Sequence, residues 1–480
     1  MKILFVASEC TPFAKAGGLG DVVGALPKAL HRLGHDVRVL IPRYGVVDRS
    51  VFTPLPAPLA VPIGGAEAWC GVLEGRLPGS DVPVYLLEHD RLFGGGIYDG
   101  FDNAQGLLRF GLLSRGAFQL CRYLGWTPDL MHAHDWPTGW VPAMLETVER
   151  REPFLGTASV FTIHNMAYQP RFYPQGLLDL GLPFEVFRPD ALEDHGQLNP
   201  FKGGLWLSSM LTTVSPTYAK EIGASPGGAG LESVIQHRGD RVVGILNGID
   251  EDDWDPERDR YLPAHFNTQD LSGKLACKRA LQAQLGLAPR DVPLLGVVSR
   301  LTHQKGIDVV AKIIERVLSL DVQMVIVGSG DGELERSLVA RSMVKDGRFF
   351  AWIGYNEELA HRIEAASDLF LMPSRFEPCG LNQMYSQRYG TLPVVRGTGG
   401  LVDTVEQCDL LTGRGTGFIF WDLHEDALYE TIRWAVSIMR EEPLHFRRMQ
   451  RAAMQKKQGW DVAARAYEAV YQRALSERRR

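Results

Sequence analysis

In the segment KAGGLGD, Lys15 to Asp21, small residues let backbone N–H groups approach a ligand oxygen, and a helix starting near Leu19 aims its positive end at the same place. With Lys15 beside it the segment reads as an anion cradle; the alternative is a plain tight turn. A second basic loop, SRLTHQKGID from Ser299 to Asp308, sets Arg300 and Lys305 together at the end of a buried strand. Two cations there suit a diphosphate, each charge-assisted contact contributing roughly 1.5 to 3 kcal/mol, although cations in a solvated loop need no ligand. The segment SRFEPCGLNQMYSQRYG, Ser374 to Gly390, opens a helix after Pro378 to Gly380, which puts Glu377 in the turn before a helix N-terminus. A carboxylate there favours the helix dipole in any protein. Its functional reading is an acceptor for a sugar hydroxyl or a stabiliser of developing positive charge, with the N–H groups near Leu381 and Asn382 meeting a phosphate. HAHDW, His132 to Trp136, and His164 in TIHN lie just past strands. Two histidines and an aspartate of this kind can ligate a metal, and they can equally donate hydrogen bonds to a ligand or to the backbone.

Other matches fail on physical grounds. GASPG, Gly223 to Gly227, fits the nucleophile-elbow pattern, but Pro226 follows the serine and lacks the N–H an oxyanion hole needs. GSGDG, Gly328 to Gly332, follows a strand with the wrong glycine spacing for a dinucleotide fingerprint. Asp253 and Asp255 form a DxD pair within an acidic stretch and read as solvated charges.

Positioning these loops requires parallel sheets. Short β-branched runs alternate with longer amphipathic stretches, which is the pattern of βαβ units and predicts an α/β fold. Strands are predicted at Lys2 to Ser8, Asp36 to Ile41, Pro83 to Glu88, Leu130 to Ala133, Ser159 to Ile163, Leu211 to Val214 and Val242 to Leu246. A second set is predicted at Pro293 to Val298, Val322 to Val327, Phe349 to Gly354, Leu369 to Met372 and Pro393 to Val395. The Pro-rich stretch Pro54 to Pro62 reads as a loop or edge. The acidic segment NGIDEDDWDPERD, Asn247 to Asp259, sets the expected boundary, giving Rossmann-like domains over 1–246 and 247–459. The helix from Trp460 onward, 460–480, is expected to pack back on the first domain. Parallel sheets bind ligands outside the carboxyl ends of their strands, so two such sheets facing each other would bring the basic loops to one cleft.

Composition bounds the remaining possibilities. The 480 residues are 45% hydrophobic and 22% charged, which excludes disorder and coiled coil, and the length suits two large domains or three small ones, each with a full core. Lys+Arg 51 against Asp+Glu 57 gives a formal charge of -6, so no global positive field is present to hold nucleic acid. The six cysteines are scattered without a CxxC pair and read as reduced thiols of a cytoplasmic protein. No signal-peptide core or membrane-length apolar run is present.

KAGGLGDV, HAHDW, FTIHNMAYQ, TTVSPTYAKEI, ILNGID with WDP, SRLTHQKGID and PSRFEPCGLNQMYSQRYGTLPVVRGTGGLVDTV together resemble the bacterial glycogen synthases and plant starch synthases, in order and over essentially the whole chain. The resemblance implies a GT-B glycosyltransferase that moves glucose from ADP-glucose to the non-reducing end of an α-1,4-glucan with retention; the alternatives are another nucleotide-sugar transferase of the same fold and a metal-dependent hydrolase built on His132, His134, Asp135 and His164. No cofactor is expected, and the cations and helix N-termini leave no metal obligatory. The resemblance also implies roles for individual residues. Lys15 and the Gly17 and Gly18 amides would meet the nucleotide phosphates or the glucosyl group, and Arg300 and Lys305 the leaving diphosphate. Glu377 with the Cys379 and Gly380 amides would bind glucose hydroxyls, and the Leu381 and Asn382 amides a phosphate. His164 and Asn247 would hold the sugar's far edge, Asp21 and Asp135 would lie near the acceptor and reaction centre, and Tyr355 would approach the adenine. Many related transferases carry a second glutamate eight positions after the first, where this chain has Tyr385, and VRGTGG has Gly397 where an arginine is expected.

Overall fold

The computed structural model describes residues 1–479, of which the side chain of Arg479 is left out, and Arg480, the last residue of the expected C-terminal helix, lies outside the described residues. The chain divides into two compact units. Unit 1 comprises residues 1–248 with the segment from Trp460, and unit 2 comprises Ile249–Gly459. The division falls two residues beyond the one expected from the acidic stretch, because Ile249 N donates to Gln458 O at 2.8 Å and pairs with Gly459. The first residue of unit 2 is thereby stitched to its last.

Unit 1 is built on strands β1 (Lys2–Val6), β2 (Asp36–Pro42), β3 (Thr53–Pro54), β4 (Leu59–Ile63), β5 (Ala66–Arg76), β6 (Pro83–Glu88), β7 (Leu130–His134), β8 (Ala158–Ile163), β11 (Met210–Thr213) and β12 (Val242–Gly244), with a small hairpin of β9 (Glu193–Asp194) and β10 (Gln197–Leu198) apart. The sheet order is β12-β11-β8-β7-β1-β2-β6-β5-β3, with β4 also on β5. From β12 to β6 every pairing is parallel, and β5 closes the edge antiparallel. The Pro-rich stretch thus supplies edge strands, where proline's missing N–H costs no ladder bond. The central strands are buried on both faces and read as continuous apolar runs, KILFV and ASVFTI among them. Helix Trp460–Arg479 lies on unit 1 with Tyr467 and Tyr471 fully buried, and Tyr471 OH reaches His132 Nδ1 at 2.8 Å.

Unit 2 is a six-stranded, all-parallel sheet of β13 (Leu294–Val298), β14 (Gln323–Gly328), β15 (Phe349–Ile353), β16 (Leu369–Met372), β17 (Leu392–Arg396) and β18 (Phe418–Phe420), ordered β15-β14-β13-β16-β17-β18. Helix Ile307–Leu318 shows why such a sheet is covered: Ile307, Val310, Ile314 and Val317, spaced three and four apart, are all buried beneath it. The acidic stretch departs from expectation. Asp253 is exposed, but Asp255 is buried, accepting from Arg388 at 3.0 Å and Arg258 at 2.9 Å, because long cations fold over it and replace its water.

Candidate functional site

In unit 2 the chemistry-bearing loops all leave the carboxyl edge of the sheet. Arg300 and Lys305 follow β13, Tyr355 follows β15 and Glu377 follows β16. Lys305 Nζ lies 2.6 Å from Glu377 Oε2, and Ser374 Oγ donates to the same oxygen at 2.9 Å. Glu377 is 5% exposed, so one carboxylate, one ammonium and one hydroxyl form a nearly dry polar cluster. The loops carrying it are locked by Arg375, whose guanidinium takes both oxygens of Asp308 at 2.6 and 2.8 Å and holds that carboxyl below its ordinary value. Arg375 N also donates to Gln304 O at 2.8 Å.

Glycines set the fit beneath this cluster. Gly400 N donates to the Glu377 carbonyl at 3.1 Å, and a Cβ on Gly399, whose φ is +46°, would overlap that carbonyl. A Cβ on Gly397 would run into the Trp421 ring, which leaves no room there for the arginine expected by resemblance. Gly380 turns the chain at φ +74° into helix Asn382–Arg388, and Gln383 Nε2 caps the Cys379 and Gly380 carbonyls at 3.0 and 2.9 Å. Cys379 is buried. Leu381 is the N-cap, and Asn382 spends its side-chain amide on Val298 O at 2.7 Å, tying the helix start to the end of β13. Arg300 is exposed, and its guanidinium donates to Gln304 Oε1 at 3.2 Å. Beneath it, GSGDG works as a brace: Leu301 N donates to Ser329 O at 2.8 Å and Asp331 N to Leu301 O at 2.7 Å. Tyr355, strongly exposed, stands on the turn before helix Glu357–Ala366.

Unit 1 presents a comparable edge. KAGGLGD follows β1, His132 and His134 lie at the end of β7 with Asp135 just past it, His164 follows β8 and Asn247 follows β12. Lys15 Nζ bonds Asp21 Oδ1 at 2.6 Å. The loop is held by buried Glu9, whose Oε2 accepts from Ala16 N at 2.6 Å and Gly17 N at 2.8 Å while Tyr98 OH donates to Oε1. This corrects one expectation: the Gly17 amide is engaged by Glu9. Gly18, the first residue of helix Gly18–Arg32, has no acceptor within its own helix, as at any helix start. A Cβ on Gly17 or Gly18 would meet nothing within 4 Å, so neither glycine is required by packing within the chain.

The histidines are wired into the interior. His132 Nε2 meets Thr162 Oγ1, and His134 Nδ1 meets His164 Nε2 at 3.0 Å. Burial lowers His132 and His134 well below the ordinary imidazole value and His164 to about 3, so all three are neutral at pH 7. Asp135 sits at φ +54°, a strained conformation for a non-glycine, which aims its carboxylate at the His164 and Asn165 amides, 2.7 and 3.4 Å away. Burial pushes its carboxyl up to about 8. His132 spends both ring nitrogens on Thr162 and Tyr471, and His134 Nδ1 pairs with His164 Nε2 while His134 Nε2 is left without a partner; among the described residues these groups do not gather as a metal-ligand cluster. Asn247 is buried, and its Oδ1 has no hydrogen-bond partner among the described residues. Glu9, Ser374, Arg375 and Gly399 were not singled out from the sequence; the usable signal was a lone carboxylate directly after the first buried strand and the remaining polar residues of SRFEP.

Residues 2–237 match the starch synthase catalytic domain family and residues 280–453 the glycosyl transferases group 1 family. Glycogen synthase 1 of Geobacter metallireducens is 48% identical over 100% of this chain and 97% of its own. The glycogen synthase of Myxococcus xanthus is 44% identical over 99% of this chain and 100% of its own. Among solved structures, the catalytic domain of starch synthase IV from Arabidopsis thaliana, bound to ADP and acarbose, superposes with a TM-score of 0.92 at 34% identity, covering 99% of both chains. Sucrose-phosphate synthase from Thermosynechococcus elongatus, at 16% identity and TM-score 0.60 over 99% of this chain and 98% of its own, shares the fold alone. With two parallel-sheet units and relatives matching end to end, the chain belongs to the glycogen synthase and starch synthase family of GT-B glycosyltransferases.

Proposed function

We propose that this enzyme is a cytoplasmic glycogen synthase that transfers glucose from ADP-glucose to the non-reducing end of an α-1,4-glucan with retention of configuration. The observation that carries the reading is the buried Glu377–Lys305–Ser374 cluster. Both contacts fall on Oε2, which leaves Oε1 as the acceptor for a glucose hydroxyl. Lys305 has three donors and spends one on Glu377, so the same ammonium can also oppose the charge that grows on the departing diphosphate, together with Arg300. Leu381 and Asn382 offer first-turn amides to a phosphate, and exposed Tyr355 offers a ring face to adenine. In unit 1, neutral His164 and the orphan Oδ1 of Asn247 supply a donor and an acceptor for sugar hydroxyls. Lys15, Gly18, Asp21 and Asp135 are assigned to the glucosyl and acceptor side.

Retention by double displacement would need a free carboxylate as nucleophile. Glu377, pinned on one oxygen by an ammonium and a hydroxyl, suits hydroxyl binding and stabilisation of an oxocarbenium-like centre, so the reading is front-face transfer. The test is elongation of glycogen with ADP-glucose and with UDP-glucose. Faster transfer from ADP-glucose is expected; elongation only from UDP-glucose overturns the donor, and no elongation from either overturns the activity.

A further inference from the structure

Unit 2 carries a second set of polar groups, none of them assigned to the glucosyl donor. Asp253, Glu357 and His361 place one potential ligand atom each within 4.8 Å of one another. His361 lies four residues after Glu357 in helix Glu357–Ala366, hence on the same helix face, and Asp253 comes from the acidic stretch that opens the unit.

The imidazole is fixed in an unusual way for a residue without a function. It is completely buried, and its Nδ1 lies 2.8 Å from Asp259 Oδ2. Asp259 in turn accepts from Tyr389 OH at 2.6 Å and from Tyr261 N at 2.9 Å, so it is held as an acceptor and calls for the proton on Nδ1. That tautomer leaves the lone pair on Nε2, and Nε2 has no hydrogen-bond partner among the described residues. The ring cannot turn to find one. Trp254 stacks on it at 3.7 Å and 12°, and Tyr385 stacks on Trp254 at 3.8 Å and 8°. A carboxylate holding one nitrogen of a histidine whose other nitrogen is bare, with two further carboxylates alongside, is the arrangement that orients imidazole for a metal ion.

We propose that Asp253, Glu357 and His361 bind one divalent transition-metal ion of the Zn²⁺ type, with Asp259 orienting the imidazole. One nitrogen and two carboxylates suit Zn²⁺ or Co²⁺ better than Mg²⁺ or Ca²⁺, which prefer oxygen alone. The two carboxylates are exposed, which gives the ion a route in and lets solvent complete its shell. Bound there, the ion would tie the opening stretch of unit 2 to the first turn of helix Glu357–Ala366, immediately after the turn that carries Tyr355. The site is one of stability and loop order, independent of glucosyl transfer.

The test uses the full chain stripped of metal with a chelator. Zn²⁺ titrated calorimetrically should bind with one saturable equivalent and raise the melting temperature of unit 2, and Co²⁺ should show the visible absorption of a low-symmetry nitrogen and oxygen site. The exposed pair Asp253→Asn with Glu357→Gln should weaken Zn²⁺ at least about 10-fold and abolish the thermal shift. His361→Gln should lose the Co²⁺ band; if it does not fold, the exposed pair decides. Absence of saturable binding to the wild-type chain, or equal affinity and thermal shift in the paired variant, overturns the proposal.

Discussion

Lys305→Ala should cost stability as well as activity, because it strands Glu377. The carboxylate side chain is 6% exposed and that of its partner 19%, so the pair is mostly dry. Removing one member of a fully buried pair costs about 3 to 5 kcal/mol; with Ser374 Oγ still donating and some water admitted past Lys305, about 2 to 3 kcal/mol is expected. For a unit of this size that corresponds to a fall in melting temperature of roughly 4 to 12 °C. Adding Glu377→Gln removes the orphan charge at nearly constant volume, so the double variant should regain at least half of the loss. Activity should not return, since both groups act on the substrate. Differential scanning calorimetry on the four members of the cycle, with the coupling taken from the difference, measures this directly. If Lys305→Ala melts with the wild type, or the double variant is no more stable than the single, the buried pair is not what holds this loop.

Arg300→Ala is the contrasting case: an exposed guanidinium whose contact is Gln304 should leave the melting temperature unchanged while kcat/KM falls at least about 10-fold, and wild-type kinetics would remove it from the diphosphate contact. Gly399→Ala should both destabilise unit 2 and depress activity, because a Cβ at φ +46° collides with the Glu377 carbonyl and displaces the carboxylate; unchanged kinetics would show that the loop yields without consequence. The stability of unit 1 should peak near pH 6.5. Buried His132, His134 and His164 have folded values below the unfolded value of about 6.5, and His35 is lowered by burial in the same direction, so stability is lost as pH falls below that point, His164 contributing down to about 3. Asp135, raised to about 8, works in the opposite sense and removes stability as pH rises towards 8. Denaturant midpoints at pH 5, 6.5 and 8 check this, and a monotonic rise across the range contradicts it.

The double α/β fold was legible because central parallel strands are buried on both faces and must be written as apolar runs such as LLGVV and ASVFTI. The chemistry-bearing loops were legible because each follows such a run directly. What the sequence concealed is whatever depends on partners far along the chain. Nothing near Glu9 announces that it will bind the amides of Ala16 and Gly17, and nothing near Asp255 announces that Arg388 will cover it. The Gly17 amide follows the same rule: a glycine-rich turn advertises available N–H groups, but a buried acceptor elsewhere decides which of them stays available. Gly399 was hidden because its necessity comes from a carbonyl on another loop, not from its own turn.

The helix Trp460–Arg479 has a consequence for how the protein is made. Its Tyr467 and Tyr471 fill the interior of unit 1, and Tyr471 supplies the hydroxyl that meets His132 at the end of β7. A ribosome working from the amino terminus releases the whole of unit 2 before it delivers those side chains. Unit 2 is therefore free to mature as soon as Gly459 emerges, while unit 1, begun before it, waits with an unfilled face for a segment synthesised after all of unit 2. A nascent chain that stalls in the preceding helix, Pro443–Met454, would hold a nearly complete second unit and an uncovered first one, the kind of apolar exposure that chaperones and proteases recognise.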